Sequence, residues 1–281
     1  MHLDTPQDWV SDPARLIPAI IQALDGHAAG TVLFDSMAAD LTATSAVLLL
    51  LSCGAEAGRK AADVCLILNK RSARVRQAGD LCYPGGSVAP RFDFTAARLL
   101  GLPVGPLGRW PWWRTWRRER PLESRWLALY FATALREAFE EMRLNPLRVC
   151  FLGPVPHHRL VLFRRLIYPL AAWAPHRPRF KPNWEVERIV GIPLRHLLEP
   201  ERYIRYRLTM PLASQAVASE QVREVPAFRI PSSSSPDILW GATYRITMAF
   251  LQMVFGFSPP TMENLPLVYG HLGRSYFTAE R

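Results

Sequence analysis

Arg136-Glu137-Ala138-Phe139-Glu140-Glu141-Met142-Arg143-Leu144 is the stretch on which the reading of this chain turns. It closes a run, Glu123–Leu144, that holds neither glycine nor proline and is followed by Pro146, the pattern of a long helix with a defined stop. On such a helix Glu137, Glu140 and Glu141 stand at i, i+3 and i+4, sharing one side within reach of a common ion. Leu135, Ala138 and Met142 supply the opposite, buried side. Arg136 can pair with Glu140, but one arginine does not neutralise three carboxylates, so the cluster needs a cation. Oxygen donors of this kind suit Mg²⁺ or Mn²⁺. Taken alone, glutamates at this spacing are more commonly a solvated acidic face.

The surroundings shift that balance. Upstream, Ser45–Ser52 reads as a buried strand, Gly54–Lys60 as a polar turn and Asp63–Asn69 as an adjacent strand. The basic stretch Lys70–Asp80 then leads into Tyr83-Pro84-Gly85-Gly86. Pro-Gly-Gly is expected to end any regular element and to give a backbone that can approach a ligand closely. Arg71, Arg74 and Arg76 carry guanidinium forks that match phosphate oxygens, or form a solvated basic turn. Ser72 either donates a hydrogen bond to a ligand or caps a turn.

Residues 101–121 break the pattern with several glycines and prolines and with Trp110, Trp112, Trp113 and Trp116 among arginines. The expectation is a loop or lid. It stacks a base, lies on a membrane surface, serves as a nucleic-acid platform, or packs its tryptophans on its own domain. Downstream, strands are expected near 148–153, 160–171 and 186–192, with a short helix at 193–199. Pro231–Pro236 reads as a flexible loop, and a helix over 237–256 closes the core. An earlier helix is expected at 13–25. Strands and helices in this mixed order suggest α/β or α+β layering.

Composition sets the frame. With 281 residues and 49% hydrophobic content, the chain can bury a substantial core. Its net charge of +10 favours an anionic partner: a phosphate-rich metabolite, a nucleic acid or a membrane surface. Cys53, Cys65, Cys82 and Cys150 form no CxxC pair and no zinc spacing, so they read as reduced, mostly buried thiols of a cytoplasmic protein. The first residues show no basic region followed by an apolar one, so a signal peptide is not expected. Residues 238–257 are apolar enough to raise the question of a membrane span. Polar interruptions and helical recurrence of Leu239, Ile246, Phe250 and Val254 favour a helix packed in a core.

Arg136 to Leu144 resembles the second half of the Nudix box, Arg-Glu-U-x-Glu-Glu-x-Gly-U with U aliphatic, except that Arg143 replaces the glycine. Thr133-Ala134-Leu135, Leu68-Asn69-Lys70-Arg71-Ser72, Arg76, Gly79 and Tyr83–Gly86 resemble the coenzyme A diphosphatase branch of that superfamily. So do Glu185-Val186 with Ile192-Pro193-Leu194, and Ile238–Thr243. The pieces run in the right order across residues 45–256. The resemblance implies an α/β/α sandwich with a mixed sheet, preceded by an N-terminal helical segment at 1–44 and followed by a tail at 257–281. The Trp/Arg-rich insertion would fall at about 92–127, inside the box.

The resemblance also implies chemistry. Glu137, Glu140 and Glu141 would bind Mg²⁺ or Mn²⁺, with the backbone at Gly86 adding a carbonyl. Arg136 would hold the glutamates; the base is open between Glu137 and, outside the box, Glu185 or Glu187, either of which could also be a further ligand. Arg71, Ser72, Arg74, Arg76 and Gly85 would contact a nucleotide-type substrate. Coenzyme A or its thioesters would then yield 3′,5′-ADP and (acyl-)phosphopantetheine. Two alternatives stand: another nucleoside diphosphate derivative such as ADP-ribose or a nucleotide sugar, and a non-catalytic binder of a ligand or of RNA. The box glutamate expected shortly before Arg136 is missing, since 49 residues separate Gly86 from Arg136 and Ala128 stands eight before the arginine. Asp93 and Glu123 are the candidates to replace it.

Overall fold

The computed structural model describes residues 9–34, 40–54, 63–160, 165–175, 178–211, 220–231, 236–273 and 276. Most of the turn expected at Gly54–Lys60, residues 161–164 of the strand expected at 160–171, and 232–235 of the Pro231–Pro236 loop lie outside these.

The centre is a mixed sheet built on β1 (Thr44–Gly54). Its other strands are β2 (Asp63–Arg71), β3 (Leu81–Cys82), β4 (Gly85–Ser87), β5 (Cys150–Pro154), β6 (His158–Leu160), β7 (Arg165–Ala174) and β8 (Val186–Pro193). The main path runs β3-β2-β1-β7-β5, with β4 on β1, β6 on β7 and β8 on β2. β1 and β7 are parallel; β1 and β2 are antiparallel. β1 reads Leu48-Leu49-Leu50-Leu51 because both faces of the sheet are covered. Successive side chains point to opposite faces, and Leu48 and Leu50 join one core while Leu49 and Leu51 join the other.

The first core is made by α4 (Pro121–Met142) lying across β1 and β4, with α2 (Pro90–Leu100) and α3 (Trp113–Glu119) against it. The second is made by α1 (Pro13–Ala29) and α6 (Gly241–Phe255). Asp12 caps α1 by accepting from the Ala14 N–H, and Leu16, Ile20 and Leu24 bury one stripe at helical spacing. The result is an α/β/α sandwich around a mixed sheet.

Beside it, β9 (Tyr203–Pro211), β10 (Glu220–Ile230), β11 (Asp237–Leu239) and β12 (Leu267–His271) form a second sheet in the order β11-β10-β9-β12. The short helix α5 (Leu194–Leu197) connects the two sheets in sequence.

Several expectations change. Pro-Gly-Gly does not end regular structure: Gly85 and Gly86 are strand residues, opposite Val47 and Ala46 of β1. Residues 101–121 are not an open loop or lid. Leu107, Trp110, Trp113 and Trp116 are buried in the core, and Trp116 donates to Asp25 of α1 at 3.2 Å. The closing helix starts at Gly241, with 237–239 forming β11 instead. The free thiols are not mostly buried: Cys65 is, Cys53 and Cys82 are half-buried and Cys150 is exposed. Among the described residues, no helix is long and apolar enough to cross a membrane.

Candidate active site

The acidic end of α4 meets the start of β1, the short β4 and the end of β2. Arg136 is the hub of this junction. Its guanidinium bonds Asp93 (Nε–Oδ1 2.9 Å, Nη2–Oδ2 3.3 Å), Glu137 (3.0 Å) and the Ser87 carbonyl (2.9 Å). Its Nη1 also lies 3.3 Å from both Glu140 oxygens. Burial alone would pull the guanidinium pKa down, but the bond to Asp93 and the charges of Glu137 and Asp93 more than offset this and hold it raised.

Asp93 is fully buried in the first turn of α2 and also accepts from the Ala89 N–H at 2.7 Å and the Thr133 hydroxyl at 2.9 Å. Of the two candidate acids, Asp93 is the one that grips Arg136. It stands seven residues after Gly86. Glu123 accepts from the Leu33 N–H and pairs with Arg120, and is not bonded to this cluster. Ala128 is simply core.

Glu137 and Glu141 lie together against the sheet. A side chain at Gly86 would collide with the Glu137 carboxylate. Glu141 is buried and accepts from Asn69 Nδ2 at 2.9 Å and from the Gly85 N–H at 3.3 Å. Burial pushes the Glu141 carboxyl up to about 8, and the charge of Glu137 adds to this; the Gly85 N–H opposes it, Glu185 adds to it, and Arg71 opposes it. Glu137 is likewise raised by burial, against the pull of Arg136. Two neighbouring carboxylates raised by burial form a site that a cation would relieve.

Glu140 is the exposed member, its side chain 53% accessible, and it shares the Arg136 Nη1 with Glu137. Helical spacing thus does not by itself close all three carboxylates on one point. Among the described residues, no three acidic, histidine or cysteine side chains form a ready-made metal cage. The donors present still fit Mg²⁺ or Mn²⁺, because Mg²⁺ commonly takes one or two carboxylates and completes its shell with water and substrate phosphate. A further oxygen is at hand: Asn69 Oδ1 is buried beside Glu141 with no hydrogen-bond partner. By sequence alone Asn69 carries no role of its own. Its signal was a buried amide ending an otherwise apolar run.

The basic loop after β2 is organised by its own backbone. Arg71 Nε donates to the Arg76 carbonyl at 2.8 Å, and its charge opposes the raised pKa of Glu141. Ser72 Oγ donates to the Trp184 carbonyl, and its N–H to the Glu185 carbonyl, both at 2.8 Å, so this serine ties two loops together. Arg74 and Arg76 are exposed. Glu185 is half-buried, near enough for its charge to act on Glu141. The Asn183 N–H, two residues earlier, donates to the Glu141 carbonyl.

Two further contacts hold the frame. The Tyr83 hydroxyl bonds Thr247 of α6 at 2.6 Å. Trp240 donates to Asp80 at 3.0 Å just before α6 begins. At the end of α4, Arg143 takes the left-handed conformation (φ 59°) and lays its guanidinium over the Phe139 ring at 5.3 Å. A side chain there replaces the usual glycine cap at a conformational cost of about 1 kcal/mol.

No family model matches the chain, and no curated protein sequence does. Solved structures overlap it in part. A MutT/nudix family protein from Enterococcus faecalis covers 76% of this chain and 62% of its own at 11% identity, with a TM-score of 0.39. A NUDIX hydrolase from Alicyclobacillus acidocaldarius covers 55% and 80% at 15% identity, with a TM-score of 0.36. The Nudix hydrolase RenU from M. smegmatis covers 55% and 72% at 15% identity, with a TM-score of 0.34. At these values the overlap assigns neither activity nor substrate.

Proposed function

We propose that this chain is a divalent-cation-dependent Nudix-type hydrolase that cleaves the diphosphate bond of a nucleoside diphosphate linked to another group. The carrying observation is the junction of Glu137 and Glu141 with the backbone of Gly85 and Gly86. Half-buried Glu137 and buried Glu141 stand there beside an unpartnered amide oxygen and the Gly86 backbone, against which the Glu137 carboxylate packs. Glu137 and Glu141 would hold Mg²⁺ or Mn²⁺, with the Gly86 backbone and Asn69 Oδ1 as further donors and Glu140 as an outer carboxylate. The cation's contribution is neutralisation of charge on the diphosphate.

The protein's own groups do the rest. Asp93 fixes Arg136, and Arg136 fixes Glu137, so the carboxylate meets its ligand already oriented. Asn69 and the Gly85 N–H do the same for Glu141. Arg71, Arg74 and Arg76 supply the charge that draws the phosphates in. Glu185, whose charge acts on Glu141 and which is not bonded to Arg136, would accept a proton from attacking water. Glu137 is the other candidate.

Within this class the reading favours coenzyme A or its thioesters, cleaved to 3′,5′-ADP and (acyl-)phosphopantetheine. What supports it is the series Leu68–Ser72, Arg76, Gly79 and Tyr83–Gly86, whose members meet in one loop-and-strand unit beside the glutamates. The test is a hydrolysis panel with Mg²⁺ or Mn²⁺, covering coenzyme A, an acyl-coenzyme A, ADP-ribose and a nucleotide sugar, with products identified by mass. Preferred release of 3′,5′-ADP supports the finer reading. Preferred turnover of ADP-ribose or the sugar replaces it while keeping the class. No turnover of any, with salt-sensitive RNA binding instead, favours the non-catalytic binder.

A further inference from the structure

The Trp/Arg-rich region separates into an inner and an outer set of side chains. Trp110, Trp113 and Trp116 are inside. Outside, the region is unusually apolar: of thirteen large hydrophobic residues exposed among the described residues, seven lie between residues 92 and 122. Exposed apolar side chains concentrated in one segment and interleaved with arginines suit an interaction surface.

Helix α2 sets its geometry. Asp93, Ala97 and Leu100 face the core. On the opposite side Phe92 and Leu99, seven residues apart, share one edge, and Phe94 lies on the other. Exposed Arg91 and Arg98 stand between them. Past the helix the chain turns, with the Leu102 N–H donating to Leu99 at 3.2 Å, and carries Leu102 and Val104 outward; Val104 is 82% accessible. Exposed Arg114, Arg117, Arg118 and Arg125 follow in the same region, where the one exposed acid, Glu119, pairs with Arg118 at 2.7 Å.

We propose that this surface docks the protein on an anionic lipid bilayer, with the outer side of α2 and the 102–104 turn at the headgroup–acyl boundary. Phenylalanine, leucine and valine side chains would enter that boundary, and arginines between them would lay their stems along it and keep their charge among the headgroups. The +10 net charge adds long-range attraction to such a surface. Single-stranded RNA is matched less well, because most of the exposed apolar side chains here, Leu99, Leu102, Val104 and Leu122, are aliphatic and stack no base, and three of the tryptophans are buried. A second copy is matched less well too, since a two-fold contact would bring identical arginines face to face. The inference does not depend on the activity proposed above.

Vesicle flotation tests it. The intact protein is expected to float with phosphatidylcholine vesicles containing a quarter phosphatidylserine, weakly with pure phosphatidylcholine, and less in high salt. Leu99→Ser with Val104→Ser should lower the partition coefficient at least about tenfold. Arg91→Gln with Arg98→Gln should lower it by a similar factor on anionic vesicles alone. Should the paired serine variant lose its circular dichroism signal, Val104→Ser alone, outside the helix, carries the same expectation at smaller size. Absence of flotation at low salt overturns the proposal, as does flotation that the folded variants leave unchanged. So does finding that the serine variant only dissolves a dimer, or that the glutamine variant only weakens RNA binding.

Discussion

Arg136 shows how one side chain converts a helical pattern into a site. Its bonds to Asp93, Glu137 and the Ser87 carbonyl join two helices and the sheet. Removing it leaves Asp93 buried without a countercharge, the costly half of a broken ion pair. Arg136→Ala should therefore destabilise the protein by about 3 kcal/mol, read as a fall in the urea midpoint, whereas an exposed acidic face would change by a few tenths. Here the sequence was informative about residue type and incomplete about partners. The glutamate spacing pointed to this helix, but Asp93 lies 43 residues before Arg136, and no local rule pairs residues so far apart. The same holds for Asn69 and Glu141.

At the scale of elements, β4 is the instructive case. Its two glycines look alike in sequence and do different work. At Gly85 (φ +154°) a side chain would run into the β1 backbone at Ala46 and Val47, which cannot yield. At Gly86 the nearest atoms it would meet are the end of the Glu137 side chain, which can. Gly85→Ala should thus destabilise the fold by more than 1 kcal/mol, an order-of-magnitude figure for a strained position. Gly86→Ala should leave the melting temperature nearly unchanged yet weaken Mn²⁺ binding at least about tenfold, measured by titration calorimetry. Equal behaviour of the two variants would contradict this division. Elements with clean periodicity were legible: α1, α4, β1 and β2 fall close to their expected positions. α2 was not, because its inward face carries the charge of Asp93 in place of an apolar residue. The second sheet was not either. β9 and β10 carry paired charges across their register, as where Arg207 opposes Glu224 and bonds it at 2.7 Å, and such strands lack an apolar run.

For the molecule as a whole, distant segments are tied by buried aromatic and acidic groups. Trp116 joins the Trp/Arg-rich region to α1 through Asp25 and fills the core beneath α4. Trp116→Ala should cost about 3–5 kcal/mol; a loss below 1 kcal/mol by denaturant unfolding would show that the region is a lid after all. Asp80 ties the basic loop to Trp240 and Tyr276. Burial raises its carboxyl to about 6, with the Tyr276 and Trp240 hydrogen bonds and then the charge of Arg71 opposing the rise. The native state therefore holds this proton more tightly than the unfolded chain. Below pH 3.8 both states are protonated and Asp80 adds no pH dependence. From there to about 6 stability falls as pH rises, and above 6 the loss is constant. Asp80→Asn should flatten that part of the melting-temperature profile, and an unchanged slope would count against it.

The proposed role of Glu137 and Glu141, holding a divalent cation for diphosphate cleavage, is open to a single comparison: Mn²⁺-dependent hydrolysis of coenzyme A, ADP-ribose and a nucleotide sugar by the wild-type chain and by Glu141→Gln. Burial raises this carboxyl, so the amide should fold at least as well while donating less to a cation. Metal-dependent turnover of at least one substrate by the wild type is expected, with a loss of at least about a hundredfold in a folded variant. Turnover that survives Glu141→Gln unchanged, or a wild-type chain that cleaves none of the three, would overturn that role.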